Sequence, residues 1–187
     1  MLGQTISNRV LEERWAYAEL SSSRFSHTYR ALVFGELFVS AGNGVPFEDL
    51  TESDRRTLSA AIEAHPGRRG LLPAIWEHPT FTCRPLSRDD LLRTLCVPGL
   101  DWDPLAKLAS MQGPFADSHP RSALAKIPTS LSFVQAEPGI VLPDFDDGEH
   151  RAPLLLEGTL RALWFLRQNE PETAFLAWLP STAQMAA

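Results

Sequence analysis

The sequence has only two cysteines, Cys83 and Cys96, in 187 residues. They flank an expected helix without metal-ligand spacing, which leaves a disulfide scaffold or a zinc site without support and makes two reduced structural thiols the expectation. Positive charge is also short: 17 Lys and Arg stand against 23 Asp and Glu, for a formal net charge of −6. A protein that binds nucleic acid broadly needs a basic face, so nucleic acid is not an expected partner, although a local basic groove remains open. No apolar run is long enough to span a membrane, and MLGQTISNRVLEERW lacks the apolar core of a signal peptide. A cytoplasmic protein without a membrane partner is therefore expected. There is no Walker A sequence, G-x-S-x-G, H-E-x-x-H or paired C-x-x-C, so P-loop, serine-hydrolase and zinc chemistries have no foothold. Gly42-Asn43-Gly44 lacks the third glycine of a dinucleotide fingerprint and does not open a helix.

Hydrophobic residues at 44% and charged residues at 21% fit a soluble globular chain, long enough for an α/β domain with a helical extension. Fifteen prolines and eleven glycines are spread along it, which implies short elements with irregular connections. Ser7–Leu20 and Thr28–Val39 have helical apolar faces, and Thr51 caps a third helix that His65-Pro66-Gly67 stops near Ala64. The apolar face of that third helix is Leu58, Ala61 and Ile62. His65–Gly70 reads as a linker, and its Arg68-Arg69 pair as a solvated basic spot. Leu71–Trp76 and Thr80–Arg84 read as strands, and Ser87 caps a helix running to Leu95. Pro104 is expected at the first position of a helix over Leu105–Met111, with Asp103 as its cap. Gln112–Arg121 reads as an exposed loop, and Leu131–Gln135 and Ile140–Leu142 as strands.

The richest stretch is Pro153–Pro180. Leu154-Leu155-Leu156 is too short and too uniformly apolar for a helical period, so it reads as a buried strand. Glu157-Gly158-Thr159 breaks it, and Leu160, Leu163, Trp164 and Arg167 then fall at i, i+3, i+4 and i+7 of a helix that other apolar residues surround. Thr173–Leu179 resumes as a strand. A glycine at a strand-to-helix junction lets backbone N–H groups approach an anion, the helix N-terminus adds a favourable dipole, and Arg161 can fork onto a phosphate. Thr159 stands where an N-cap hydroxyl is expected. The plainer alternative is that Gly158 only permits a tight turn and Arg161 is a solvated surface charge.

Strand, acidic residue, glycine, two variable residues, arginine, alanine and an apolar helix together resemble the phosphate-binding box of the ParB/sulfiredoxin superfamily. That group includes chromosome-partition CTPases, sulfiredoxins and free-serine kinases. Gly158 and Arg161 match the glycine and arginine of its G-x-x-R turn, and Glu157 matches the acidic residue before the glycine in the kinase-like members. Thr159 replaces the reactive cysteine of sulfiredoxins, which argues against sulfinic acid reduction. Leu160 replaces a histidine of the sulfiredoxins and kinase-like members, and the charged run of the partition CTPases is absent. The resemblance implies an α+β fold, a small mixed β-sheet flanked by helices, over residues 71–187, with residues 1–70 as an N-terminal helical extension.

It also implies a site in which Gly158, Thr159 and Arg161 hold phosphates while Glu157 acts catalytically, polarising a substrate hydroxyl or positioning metal. The ligand is then ATP or CTP with Mg²⁺, or a small phosphorylated molecule, and the activity a nucleotide-dependent phosphotransferase or NTPase. Just before this stretch, Asp144-Phe145-Asp146-Asp147-Gly148-Glu149-His150 is acidic. Asp146, Asp147 and His150 are candidate metal ligands there, with a solvated acidic turn as the alternative. Two other functions stay open: an inactive scaffold that presents its N-terminal helices to a protein partner, and a DNA-binding or nuclease-type relative, which the acidic balance opposes.

Overall fold

A computed structural model describes residues 1–20, 28–29, 32–33, 37, 44–96, 104–110, 137–146, 148–149, 151–167 and 174–182. In chain order the elements are β1 (Thr5–Ser7), α1 (Asn8–Leu20), a 3-10 turn (Phe47–Asp49), α2 (Glu52–Ala64), α3 (Leu72–Trp76), β2 (Thr80–Leu86), α4 (Arg88–Leu92), β3 (Leu95–Cys96), α5 (Leu105–Ser110), β4 (Gly139–Leu142), β5 (Leu154–Glu157), α6 (Thr159–Arg167) and β6 (Phe175–Pro180). The fold is α+β. Its six-stranded sheet has the order β1-β2-β6-β4-β5-β3 and is mixed: β4 runs antiparallel to β5, whereas β3 with β5 and β4 with β6 are parallel. No helix among the described residues is long and apolar enough to cross a membrane.

The chain divides into two compact units, Ile6–Phe81 and Met1–Thr5 with Thr82–Ala187. In the second unit, β4 and β5 carry nearly continuous buried residues, as a central strand covered on both faces should. Ala162, Leu163, Phe165 and Leu166 of α6 join Val141, Leu155, Phe175 and Leu179 in one apolar core with Leu105 and Leu108 of α5. The expected strands at Thr80–Arg84, Ile140–Leu142 and Leu154–Leu156 are all present, the strand expected over Thr173–Leu179 is present from Phe175 onwards, and so is the apolar helix that follows Gly158. Cys83 and Cys96 are buried and form no disulfide.

Three assignments change. Leu72–Trp76 is a helix, not a strand: Pro73 lies in its first turn, where its missing N–H goes unnoticed, and Leu72 and Ile75 are buried while Trp76 is 51% exposed. A five-residue apolar run carries too few periods to separate the two forms. The helix capped by Ser87 ends at Leu92, because Leu95 and Cys96 pair with Leu154 and Leu155 as a strand. Ser87 caps it as expected, and Asp90 completes a capping box in which the two residues satisfy each other's backbone N–H groups. Pro104 precedes the helix Leu105–Ser110 by one residue, its carbonyl accepting the Leu108 N–H at 3.2 Å. The expectations for Gln112–Arg121, Leu131–Gln135, Asp103 and most of Thr28–Val39 fall outside the described residues.

In the helical unit, Thr51 and Asp54 form a capping box at the start of α2, and Leu58, Ala61 and Ile62 are its buried face. That face meets α1. The sequence marked Leu11 and Trp15 of α1 as apolar, but Glu12, Glu13, Arg14 and Glu19 are buried as well, at 3–4% exposure. Each has a charged or polar partner, as burial of charge requires. Glu19 accepts from Trp15 Nε1 at 3.3 Å and from Arg68 Nε at 2.9 Å. Glu13 pairs with Arg9 at 3.1 Å, Arg14 with Glu48, and Glu12 with the indole N–H of Trp76. Arg68 is therefore not a solvated charge: it lies buried over the Trp15 ring, 5.3 Å from its centroid.

Replacing Arg68 with Ala removes the buried cation that Glu19 faces and is expected to cost about 3–5 kcal/mol in urea unfolding. Arg68→Met combined with Glu19→Leu should recover most of that loss. A single-mutant cost below about 1 kcal/mol would mean the pair does not hold this unit together.

Burial pushes the Glu12 carboxyl above its ordinary value of 4.5; the Trp76 hydrogen bond opposes this, and Glu63 and Glu13 reinforce it. A raised folded-state pKa favours folding below the unfolded value and withdraws that support as pH rises through the folded value. Glu12→Gln, which keeps an acceptor for Trp76, should therefore gain stability relative to wild type at pH 7 and lose the gain near pH 4. Melting temperatures at the two pH values check it, and an identical difference at both would refute the assignment.

Candidate functional site

The site is the junction between β5 and α6. Gly158 has φ +100°, a backbone conformation that L side chains rarely adopt, and its carbonyl accepts the Ala162 N–H at 2.8 Å, so it occupies the N-cap position. Thr159 is correspondingly the first helical residue, not the cap expected from its hydroxyl. The turn is close-packed on one side. A Cβ on Gly158 would lie 3.1 Å from Gly139 Cα and 3.4 Å from the Phe175 ring, and one on Gly139 would lie 2.8 Å from Phe175 and 3.0 Å from the Glu157 carbonyl. Gly139 begins β4, beside the register irregularity opposite Glu157. Two glycines thus let two backbones and an aromatic ring converge where the strand becomes a helix.

Arg161 is in the first turn of α6 and only 8% exposed. Its Nη2 lies 3.2 Å from the place a Gly158 Cβ would occupy, so the guanidinium lies over the turn. Glu157 Oε1 is 3.7 Å from Nη2. That distance gives electrostatic attraction but exceeds hydrogen-bonding range. Arg161 Nε and Nη2 are both buried without a hydrogen bond, and so is the indole Nε1 of Trp164, three residues further along α6. All three are donors only, so the partner each lacks is an acceptor. Each such group costs on the order of 1–3 kcal/mol when buried unpaired. Leu160 packs against the apolar core.

The structure thus brings Glu157, Gly158, Thr159 and Arg161 into one turn. Sequence reasoning counted Trp164 only as core and missed its unsatisfied N–H; the i, i+3 spacing from Arg161 was the available signal. The candidate metal ligands fare differently. Asp147 and His150 lie outside the described residues. Asp146 accepts the Gly148 N–H at 2.9 Å, lies 3.9 Å from the Arg151 side chain and bridges to Arg151 across a turn. Among the described residues no three His, Cys, Asp or Glu side chains are grouped to hold a metal ion. Comparisons with protein-family models, curated proteins and solved structures gave no match.

Gly158→Ala forces a side chain into a positive φ against Gly139 and the Arg161 guanidinium. The expected loss is about 1–3 kcal/mol from backbone strain, more if contacts must shift. Urea unfolding measures it; a loss under about 0.5 kcal/mol would show that the turn is not so constrained.

Proposed function

We propose that the Glu157–Arg161 turn binds the phosphates of a nucleotide or small phosphorylated molecule, as its resemblance to the ParB/sulfiredoxin box implies. The observation that carries the reading is Arg161: a buried guanidinium with Nε and Nη2 unpaired, beside a positive-φ glycine at the N-terminus of a nine-residue helix. Anions are favoured there because the first N–H groups of a helix have no intrahelical acceptor and its dipole is positive at that end. A phosphate oxygen would give the guanidinium charge-assisted hydrogen bonds that Glu157 at 3.7 Å does not.

Within this reading the second unit is a ParB-like phosphate-binding domain of a cytoplasmic protein, and ATP or CTP is its ligand, with Mg²⁺ entering on the nucleotide. Its finer form is a phosphotransferase or NTPase in which Arg161 and the helix N-terminus stabilise transferred charge and Glu157 polarises a hydroxyl.

A second reading has its own support. Leu160 is committed to the core and Glu157 already faces Arg161, an arrangement that suits an inactive scaffold. The half-exposed Trp76 on the helical unit then offers a contact for a protein partner.

Calorimetric titration with ATP, CTP, GTP and pyrophosphate separates the two. Arg161→Ala should weaken the best ligand roughly ten- to a hundredfold, the equivalent of about 1.5–3 kcal/mol from a charge-assisted contact. The variant should remain folded, since it removes two unsatisfied donors. Wild type should also gain melting temperature with the same ligand. Equal affinity in wild type and variant, with no thermal shift, would favour the scaffold.

A further inference from the structure

We infer that Glu157 is an internal competitor for the anion held by Arg161 and so determines how strongly a free phosphate group binds; the inference rests on the phosphate reading above. Glu157 is the last residue of β5, held in register opposite Ile140 of β4, so its backbone is fixed. Gly158 then turns the chain at φ +100°, and Arg161 returns over that turn with Nη2 3.2 Å from the Gly158 Cβ position. Glu157 Oε1 lies 3.7 Å from Nη2. The carboxylate is near enough to share the positive charge and too far to satisfy the donors, which remain without hydrogen bonds.

A phosphate oxygen that reaches Nε or Nη2 enters beside this carboxylate. Arg161's side chain is 10% exposed and Glu157's 24%, so solvent screens their neighbourhood only in part. The ligand must then tolerate the repulsion of a like charge or displace Glu157 towards its solvent-exposed side. Either route weakens a free polyanion and makes Glu157 a specificity-determining residue. A residue that merely braced the turn would have the opposite signature, since removing a brace can weaken binding or leave it unchanged but gives no reason for it to tighten.

The test is titration of the full chain with pyrophosphate. Glu157→Gln removes the charge and retains the shape, and it should bind about tenfold tighter than wild type. Glu157→Ala should move in the same direction, which excludes a new contact from the glutamine amide as the cause. Arg161→Ala should bind least. If both Glu157 variants bind no tighter than wild type while Arg161→Ala still loses affinity, the competitor role is overturned and the phosphate site stands. If wild type and all three variants show no binding, both are overturned.

Discussion

The close approach of Gly139 and Gly158 is the constraint on which the sheet unit turns. β5 has to end, reverse into α6 and leave β4 paired alongside, all within the few ångströms occupied by the Phe175 ring and the Glu157 carbonyl. A side chain at either glycine would intrude on a backbone or on the ring. Because the turn is fixed, so are the positions of the residues on either side of it. Glu157 cannot slide along β5, and Arg161 cannot leave the first turns of a helix whose next five residues are buried. The fixed backbone brings the two side chains to the same turn, where Glu157 Oε1 lies 3.7 Å from Arg161 Nη2.

The helical unit is held by a different device. Four consecutive or near-consecutive charged residues of α1 turn inward, and each meets a partner from elsewhere in that unit or from its own helix. Replacing such pairs by apolar residues of similar volume is often tolerated, whereas removing one member leaves an uncompensated buried charge. The Arg14 and Arg55 guanidinium carbons lie 4.5 and 4.7 Å from the Phe47 ring centroid, so one aromatic residue orients two cations.

The readable parts of the chain were those where several local signals agreed. Leu154–Leu156 followed by glycine and an apolar helix, and Thr51 and Ser87 each followed three residues later by an aspartate, had pattern and capping chemistry pointing the same way. Leu72–Trp76 failed because five residues hold too little periodicity, so tertiary burial of Leu72 and Ile75 decided the form. The inward glutamates of α1 were illegible for a deeper reason. A charged residue on an amphipathic helix reads as solvent-facing by default, and only its partner, such as Arg68 for Glu19, reveals otherwise. That partner is distant in sequence and sits in what composition marked as a linker.

The same limit applies at the candidate site, where the sequence supplied the residues and the structure supplied their incompleteness. Gly158 and Arg161 alone are compatible with a plain tight turn. What distinguishes them is that a buried guanidinium and a buried indole, three residues apart on α6, present donors that the described residues leave unmet. A turn selected only for stability has inexpensive remedies: leucine or methionine at Arg161 and phenylalanine at Trp164 would keep much of the volume without the unpaired donors. On the proposed phosphate reading, donors without acceptors are what an acceptor-rich ligand would complete. On the same reading Glu157, 3.7 Å from Arg161 Nη2, partly balances the buried cation and leaves its donors available to an anion.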